Sequence, residues 1–86
     1  MNILSQDGKI LVNYNNVASL YIKKEYVQYS CPDTWWEIRV LYPSASRDIE
    51  CTLAKFDDEK KCELVFRKMV NLIAQQKEDC VLIDSI

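Results

Sequence analysis

The chain contains no histidine and only one glycine, Gly8. The first absence removes the side chain that most often serves as general acid or base, completes Ser-His and Cys-His nucleophile pairs, and ligates transition metals. The second removes the glycine-rich loops through which backbone approaches a phosphate, which excludes Walker, Rossmann and kinase-type nucleotide sites. No segment approaches the ~20 consecutive apolar residues that span a bilayer. There is no excess of positive charge either. The 11 Lys and Arg residues stand against 13 Asp and Glu residues, for a net charge of −2, so bulk charge recruits neither nucleic acid nor an anionic membrane. Cys31, Cys51, Cys62 and Cys80 include no Cys-x-x-Cys pair. Asn2, Ser5, Gln6, Asp7 and Gly8 interrupt the first ten residues and break any signal-peptide core. The expectation is a cytoplasmic protein with free thiols, no metal, no cofactor and no membrane contact.

What is present is an ordinary globular balance, 49% apolar and 28% charged residues over 86 positions. That supports one domain, 1–86, around one core, since folding at this size buries only about 60% of the unfolded surface. The pattern predicts a sheet over 2–56, a helix over 57–77 and an apolar tail over 80–86. Residues 2–5 and 9–14 read as strands joined by Gln6-Asp7-Gly8, an Asp-Gly hairpin signal between apolar runs. Asn15-Asn16 reads as a second turn, because Asn tolerates positive φ. A third strand follows over 17–22. The charged Lys23-Lys24-Glu25 bends or interrupts it, and 26–30 extends it. Cys31-Pro32-Asp33-Thr34 reads as a turn.

From 35 to 42 the alternation is regular. Trp36, Ile38, Val40 and Tyr42 form one face, the better core face, and Trp35, Glu37, Arg39 and Leu41 the other. A loop covers 43–48. In the next strand Ile49, Cys51, Leu53 and Lys55 share a face against Glu50, Thr52 and Ala54. The period then changes from 2 to 3.6. Asp57 or Asp58 serves as N-cap, and Cys62, Val65, Phe66, Met69, Leu72 and Ile73 form an apolar stripe. Leu64 falls on the polar side of this helix. The tail from Cys80 to Ile86 reads as a short strand that pairs with a sheet edge, its own or a neighbour's.

The candidate chemical groups reduce to structural ones. Asp57, Asp58 and Glu59 are a carboxylate cluster, but a divalent metal normally gathers oxygens from separate elements, and a helix N-terminus attracts negative charge for its own sake. Cys62 sits early in the helix, where a thiolate is favoured, yet it also lies on the apolar stripe and reads as a small buried hydrophobe. Lys23-Lys24, Lys60-Lys61 and Arg67-Lys68 offer a phosphate-contacting face with Tyr21, Tyr26 or Trp35 stacking on bases. Glu25, Glu59 and Glu63 interleave with those cations, so a solvated surface is the better reading.

The aromatics carry more. Trp35 and Trp36 are adjacent on a strand and point to opposite faces, and one helix covers only one face. Either Trp35 is exposed, or something else covers it: the 26–29 segment, the tail or a partner. Tyr and Trp dominate interface hot spots. The candidate partner-binding residues are therefore Trp35, Tyr26, Tyr29, Leu64, Val81 and Ile83.

Ile3-Leu4-Ser5-Gln6-Asp7-Gly8-Lys9, with Leu11-Val12-Asn13 and Asn15-Asn16-Val17, resembles the opening of a group of small uncharacterised proteins of Gram-positive bacteria, their phages and their mobile elements. The likeness returns at Leu53-Ala54-Lys55-Phe56 and Asp58-Glu59-Lys60-Lys61-Cys62, and spans 1–22 and 34–75. The chain departs from the group in carrying Ala54 where glycine is usual, and in having no glycine near Arg47-Asp48. The resemblance implies a pleckstrin-homology-like fold and an accessory role on mobile DNA. It brings no catalytic residue and no ligand.

The resulting expectation is an α+β fold, a strongly bent antiparallel sheet of five to six strands forming a partial barrel, packed by one C-terminal helix. The expected function is a non-catalytic protein-interaction module that binds or inhibits a host or defence protein. Two other readings stand beside it: a sponge-like nucleotide or nucleic-acid binder, and a homo-oligomeric structural protein.

Overall fold

A computed structural model describes residues 1–26, 34–43, 46–76 and 79–86. The elements are β1 (Asn2–Leu4), β2 (Leu11–Asn13), β3 (Ser19–Tyr26), β4 (Thr34–Tyr42), β5 (Ile49–Phe56), α1 (Glu59–Gln75) and β6 (Cys80–Leu82). Single 3-10 turns lie at Tyr14–Asn16 and Ile83–Ser85. The class is α+β, with one helix among the described residues. The single bent sheet expected from the sequence is corrected. The strands form two sheets of three, ordered β2-β1-β6 and β3-β4-β5, and neither closes. All pairings are antiparallel except β1 with β6, which is parallel.

The first hairpin follows from its turn chemistry. Gly8 takes φ 74, the left-handed region that only glycine enters freely. Asp7 Oδ1 accepts from Ser5 Oγ at 2.6 Å and from the Lys9 amide at 2.9 Å, so one carboxylate ties both sides of the turn. Buried Ser5 also accepts from the Ile10 amide at 3.0 Å. These bonds shorten the return strand to Leu11–Asn13. Asn13 then caps the 3-10 turn by accepting from the Asn15 amide, which delays β3 to Ser19.

β3 runs through Lys23-Lys24-Glu25 without a break. The charges do not interrupt it because the neighbouring strand supplies partners: Glu25 reaches Arg39, and Lys24 stands 6.0 Å from the Trp36 ring. Of the expected strand over 26–30 Tyr26 ends β3, and of the expected turn over 31–34 Thr34 opens β4; residues 27–33, 44 and 45 lie outside the described residues.

β5 contains a bulge. Ile38 pairs with Ala54 but Arg39 pairs with Thr52, so Leu53 is the extra residue. The alternation therefore slips by one. Leu53 and Ala54 are both buried, Phe56 joins them, and Lys55 turns outward. The expected faces for Ala54 and Lys55 are reversed. The bulge leaves backbone groups that the first hairpin satisfies. The Gln6 amide donates to Leu53 O at 2.8 Å, and Gln6 Oε1 accepts from the Lys55 amide at 3.0 Å. This bond pair joins the two sheets.

Asp58 is the N-cap of α1, accepting from the Lys60 amide at 3.0 Å. The helix ends where Gln76 turns left-handed at φ 51 and its amide bonds Leu72 O. Cys62, Val65 and Met69 face the core beside Ile38, Val40, Leu53, Ala54 and Phe56. Ile3, Val12 and Val81, one from each strand of the small sheet, extend that core. No described helix is long and apolar enough to cross a membrane.

Candidate interaction face

Helix α1 packs on one side of β3-β4-β5. The other side belongs to the alternate residues of those strands, and the register brings them into rows. Tyr21 stands opposite Arg39, Lys23 opposite Glu37 and Glu25 opposite Trp35. Across the other ladder Glu37 faces Lys55, Arg39 faces Thr52 and Leu41 faces Glu50. Because side chains on one face of paired strands lie about 5 Å apart, these residues interact directly.

Arg39 is the hub. Its Nε and Nη2 both lie 2.8 Å from Glu37 Oε1. Nη1 reaches Glu50 Oε2 at 3.1 Å and Nη2 reaches Glu25 Oε1 at 3.3 Å. Glu37 is the central acceptor and is 8% exposed. Its Oε1 also accepts from Thr52 Oγ1 at 2.9 Å, and its Oε2 accepts from Trp35 Nε1 at 2.6 Å. Tyr21 donates its phenol to Glu50 at 2.6 Å, and Lys23 pairs with Glu25 at 3.4 Å. The Lys55 ammonium stands 4.4 Å from the centre of the Trp35 ring, a cation–π contact on the open side.

The electrostatics follow. Burial pushes Glu37 up, but hydrogen bonds from Trp35, Arg39 and Thr52 and the Arg39 charge outweigh it and hold the carboxyl below its ordinary value. The Tyr21 hydrogen bond does the same for Glu50, helped by Lys23 and Arg39. Tyr21 in turn is raised, by burial first and then by its bond to Glu50. Both carboxylates thus move away from the near-neutral range that a general base needs. Chemically this cluster is a clamp: it fixes the orientation of Trp35, Tyr21 and Arg39. Its charges balance, Lys23, Arg39 and Lys55 against Glu25, Glu37 and Glu50. Among the described residues no group of three His, Cys, Asp or Glu is placed to hold a metal ion. Burial and the neighbouring Glu63 and Glu59 push the Cys62 thiol up to about 11, the opposite of activation.

The six partner-binding candidates do not come together. Trp35 lies half-buried on this outer face. Tyr26 is 58% exposed at the end of β3, but alternation puts it on the other face, with Lys24 and Ile22. Leu64 is 54% exposed on the solvent side of α1, away from the stripe formed by Cys62, Val65 and Met69. Tyr29 lies outside the described residues. Val81 and Ile83 are corrected: they are 0% and 4% exposed, within the chain's own core. Val81 is buried because β6 pairs with β1, which sets it opposite Ile3. The tail therefore closes the small sheet.

Sequence reasoning missed the clamp itself. A signal was present: Tyr21, Lys23 and Glu25 alternate on one strand, as Trp35, Glu37 and Arg39 do on the next. Without the register, the partner of each charge was unknown. No protein-family model, curated protein or solved structure matches the chain.

Proposed function

We propose that this chain is a non-catalytic protein-interaction module, and that it presents the outer face of β3-β4-β5 to a protein partner. The observation that carries the reading is the Arg39 clamp. It holds a Trp, a Tyr and an Arg, the residue types that dominate binding hot spots, on a rigid sheet face that no described helix covers. Side chains already fixed lose little rotamer entropy on binding, which strengthens association. Balanced charge on the face weighs against a polyanionic ligand, whose phosphates need a surplus of cations.

The resemblance to small phage and mobile-element proteins supplies the setting. The partner in this reading is a cytoplasmic host or defence protein that the module inhibits.

A photo-crosslinking residue introduced in place of Lys55, exposed on the outer face and away from β3, with Leu64 as the control position, tests the proposal in extract of the producing cell. Specific labelling of one protein from position 55, and at least about tenfold weaker binding by Trp35→Ala, are expected. Labelling from position 64 alone would count against the outer face. Turnover of a small substrate that survives extensive purification would remove the reading altogether.

A further inference from the structure

The apolar arc of α1 extends beyond its buried stripe. Cys62, Val65 and Met69 are buried against the strands, but the arc continues to one side through Phe66, Val70, Ile73 and Ala74, and Val70 is 42% exposed. With Tyr14 and Leu20 these four line a groove of about 320 Å³. Leu20 belongs to β3, the edge strand of the larger sheet. β3 pairs with β4 over all eight residues without a register shift and contains no proline. In an antiparallel edge strand every second N–H and C=O points away from its neighbour. Among the described residues no strand takes up those groups. The opposite edge is handled otherwise, since β5 is bulged at Leu53 and closed by Gln6. The larger sheet thus ends in an open edge at β3, beside a part of the helix face that it does not bury.

We infer that β3 and the Phe66/Val70 groove together receive an extended segment of a partner protein as a fourth, added strand. Side chains on one face of that strand fill the groove beside Leu20. The chemistry of the rest is set by the surplus of cations on β3, Lys23 and Lys24 against Glu25, which pairs with Lys23 at 3.4 Å. As neighbours on a strand the two lysines point to opposite faces, so two adjacent acidic residues on the added strand meet both. A second copy of β3 is the competing occupant: antiparallel self-pairing centred on Lys23 sets like charges opposite each other, but centring on Lys24 sets two Lys23–Glu25 pairs beside one Lys24–Lys24 pair, so the oligomeric state forms one arm of the test. This edge surface rests on different observations from the outer face, and it stands whether or not that face binds.

The test uses the full chain and two synthetic ten-residue peptides, each alternating valine with threonine. One carries Asp-Glu at its centre and the other Lys-Lys. Amide hydrogen exchange read by nuclear magnetic resonance is expected to show protection of the β3 amides that point away from β4. Binding of the acidic peptide should saturate, and the basic peptide should bind about tenfold more weakly. Val70→Asp, at an exposed position, should abolish the protection while core amides keep theirs. Lys24→Glu should narrow or invert the peptide preference. Equal binding of both peptides, protection elsewhere than β3, indifference to Val70→Asp, or no saturable binding would each overturn the inference. So would a homodimer, seen by sedimentation, whose β3 amides are protected without peptide.

Discussion

Replacing Arg39 by Met should expose how much the clamp contributes to folding. Methionine keeps most of the aliphatic stem and removes the charge. The Arg39 side chain is 16% exposed and that of Glu37 is 10% exposed, so this pair is largely shielded from water. Glu25 and Glu50, at 29% and 45%, are screened and contribute little each. Removing one partner of a fully buried pair costs about 3 to 5 kcal/mol, because the other charge is left uncompensated. Trp35 and Thr52 still donate to Glu37, and the site is only partly buried. The expected loss is therefore about 2 to 3 kcal/mol at neutral pH. For a domain of this size that is a fall of about 10 to 20 °C in Tm.

The loss should depend on pH, with a defined sign. In the wild-type chain Glu37 and Glu50 are held below the ordinary glutamate value. Their contribution is present above the unfolded pKa, about 4.3, and is lost as pH falls through the lower folded values. In Arg39→Met the opposing charge is gone and burial raises Glu37, so the variant recovers as that carboxyl protonates. The gap between the two proteins should narrow between about pH 7 and about pH 4.5. Urea unfolding followed by tryptophan fluorescence measures it, with the m-value checked for constancy. Adding Glu37→Gln to the variant should restore part of the loss. A gap below about 0.5 kcal/mol, or one of equal size at both pH values, would refute the clamp as described.

Three further outcomes follow from the same structure. Val81→Ala removes two methyl groups from a fully buried site and should cost about 2 to 3 kcal/mol by urea unfolding, although Val81 sits in a three-residue strand. Asp58→Ala deletes the N-cap of α1 and should cost about 1 kcal/mol, whereas Asp57→Ala should be close to neutral; thermal melts distinguish them. Cys62 should resist iodoacetamide in the native protein and label only in denaturant, because its thiol is buried and raised to about 11; peptide mass mapping reads this directly.

The parts of this fold legible in the sequence were those whose cause is local. Alternation from Trp35 to Tyr42, the stripe through Cys62, Val65 and Met69, and the Asp7-Gly8 turn each depend on residues a few positions apart. Element bounds shifted where side chains competed with ladders, as Asn13 does by capping the turn before β3. What could not be read was partnership. Period 2 assigns Ile3 and Val81 to a buried face without saying that they face each other, and so the division into two sheets was invisible. The bulge at Leu53 left no trace because no glycine marks it, and it alone reverses Ala54 and Lys55. For the interaction face, Trp35 was identified from its neighbour Trp36, and Glu37 shares its face on the same strand, but the cross-strand contacts of Trp35 with Lys55 and of Arg39 with Glu25 and Glu50 required the register.

The parallel pairing of β1 with β6 has a consequence for how the chain acquires its shape. The two strands are separated by nearly the whole polypeptide. β3, β4, β5 and α1 join by short connections and can assemble without β1 and β6 having met. The small sheet must wait for that long-range pairing. It should therefore form last, and open first in the native protein, with its amides exchanging ahead of those in β4.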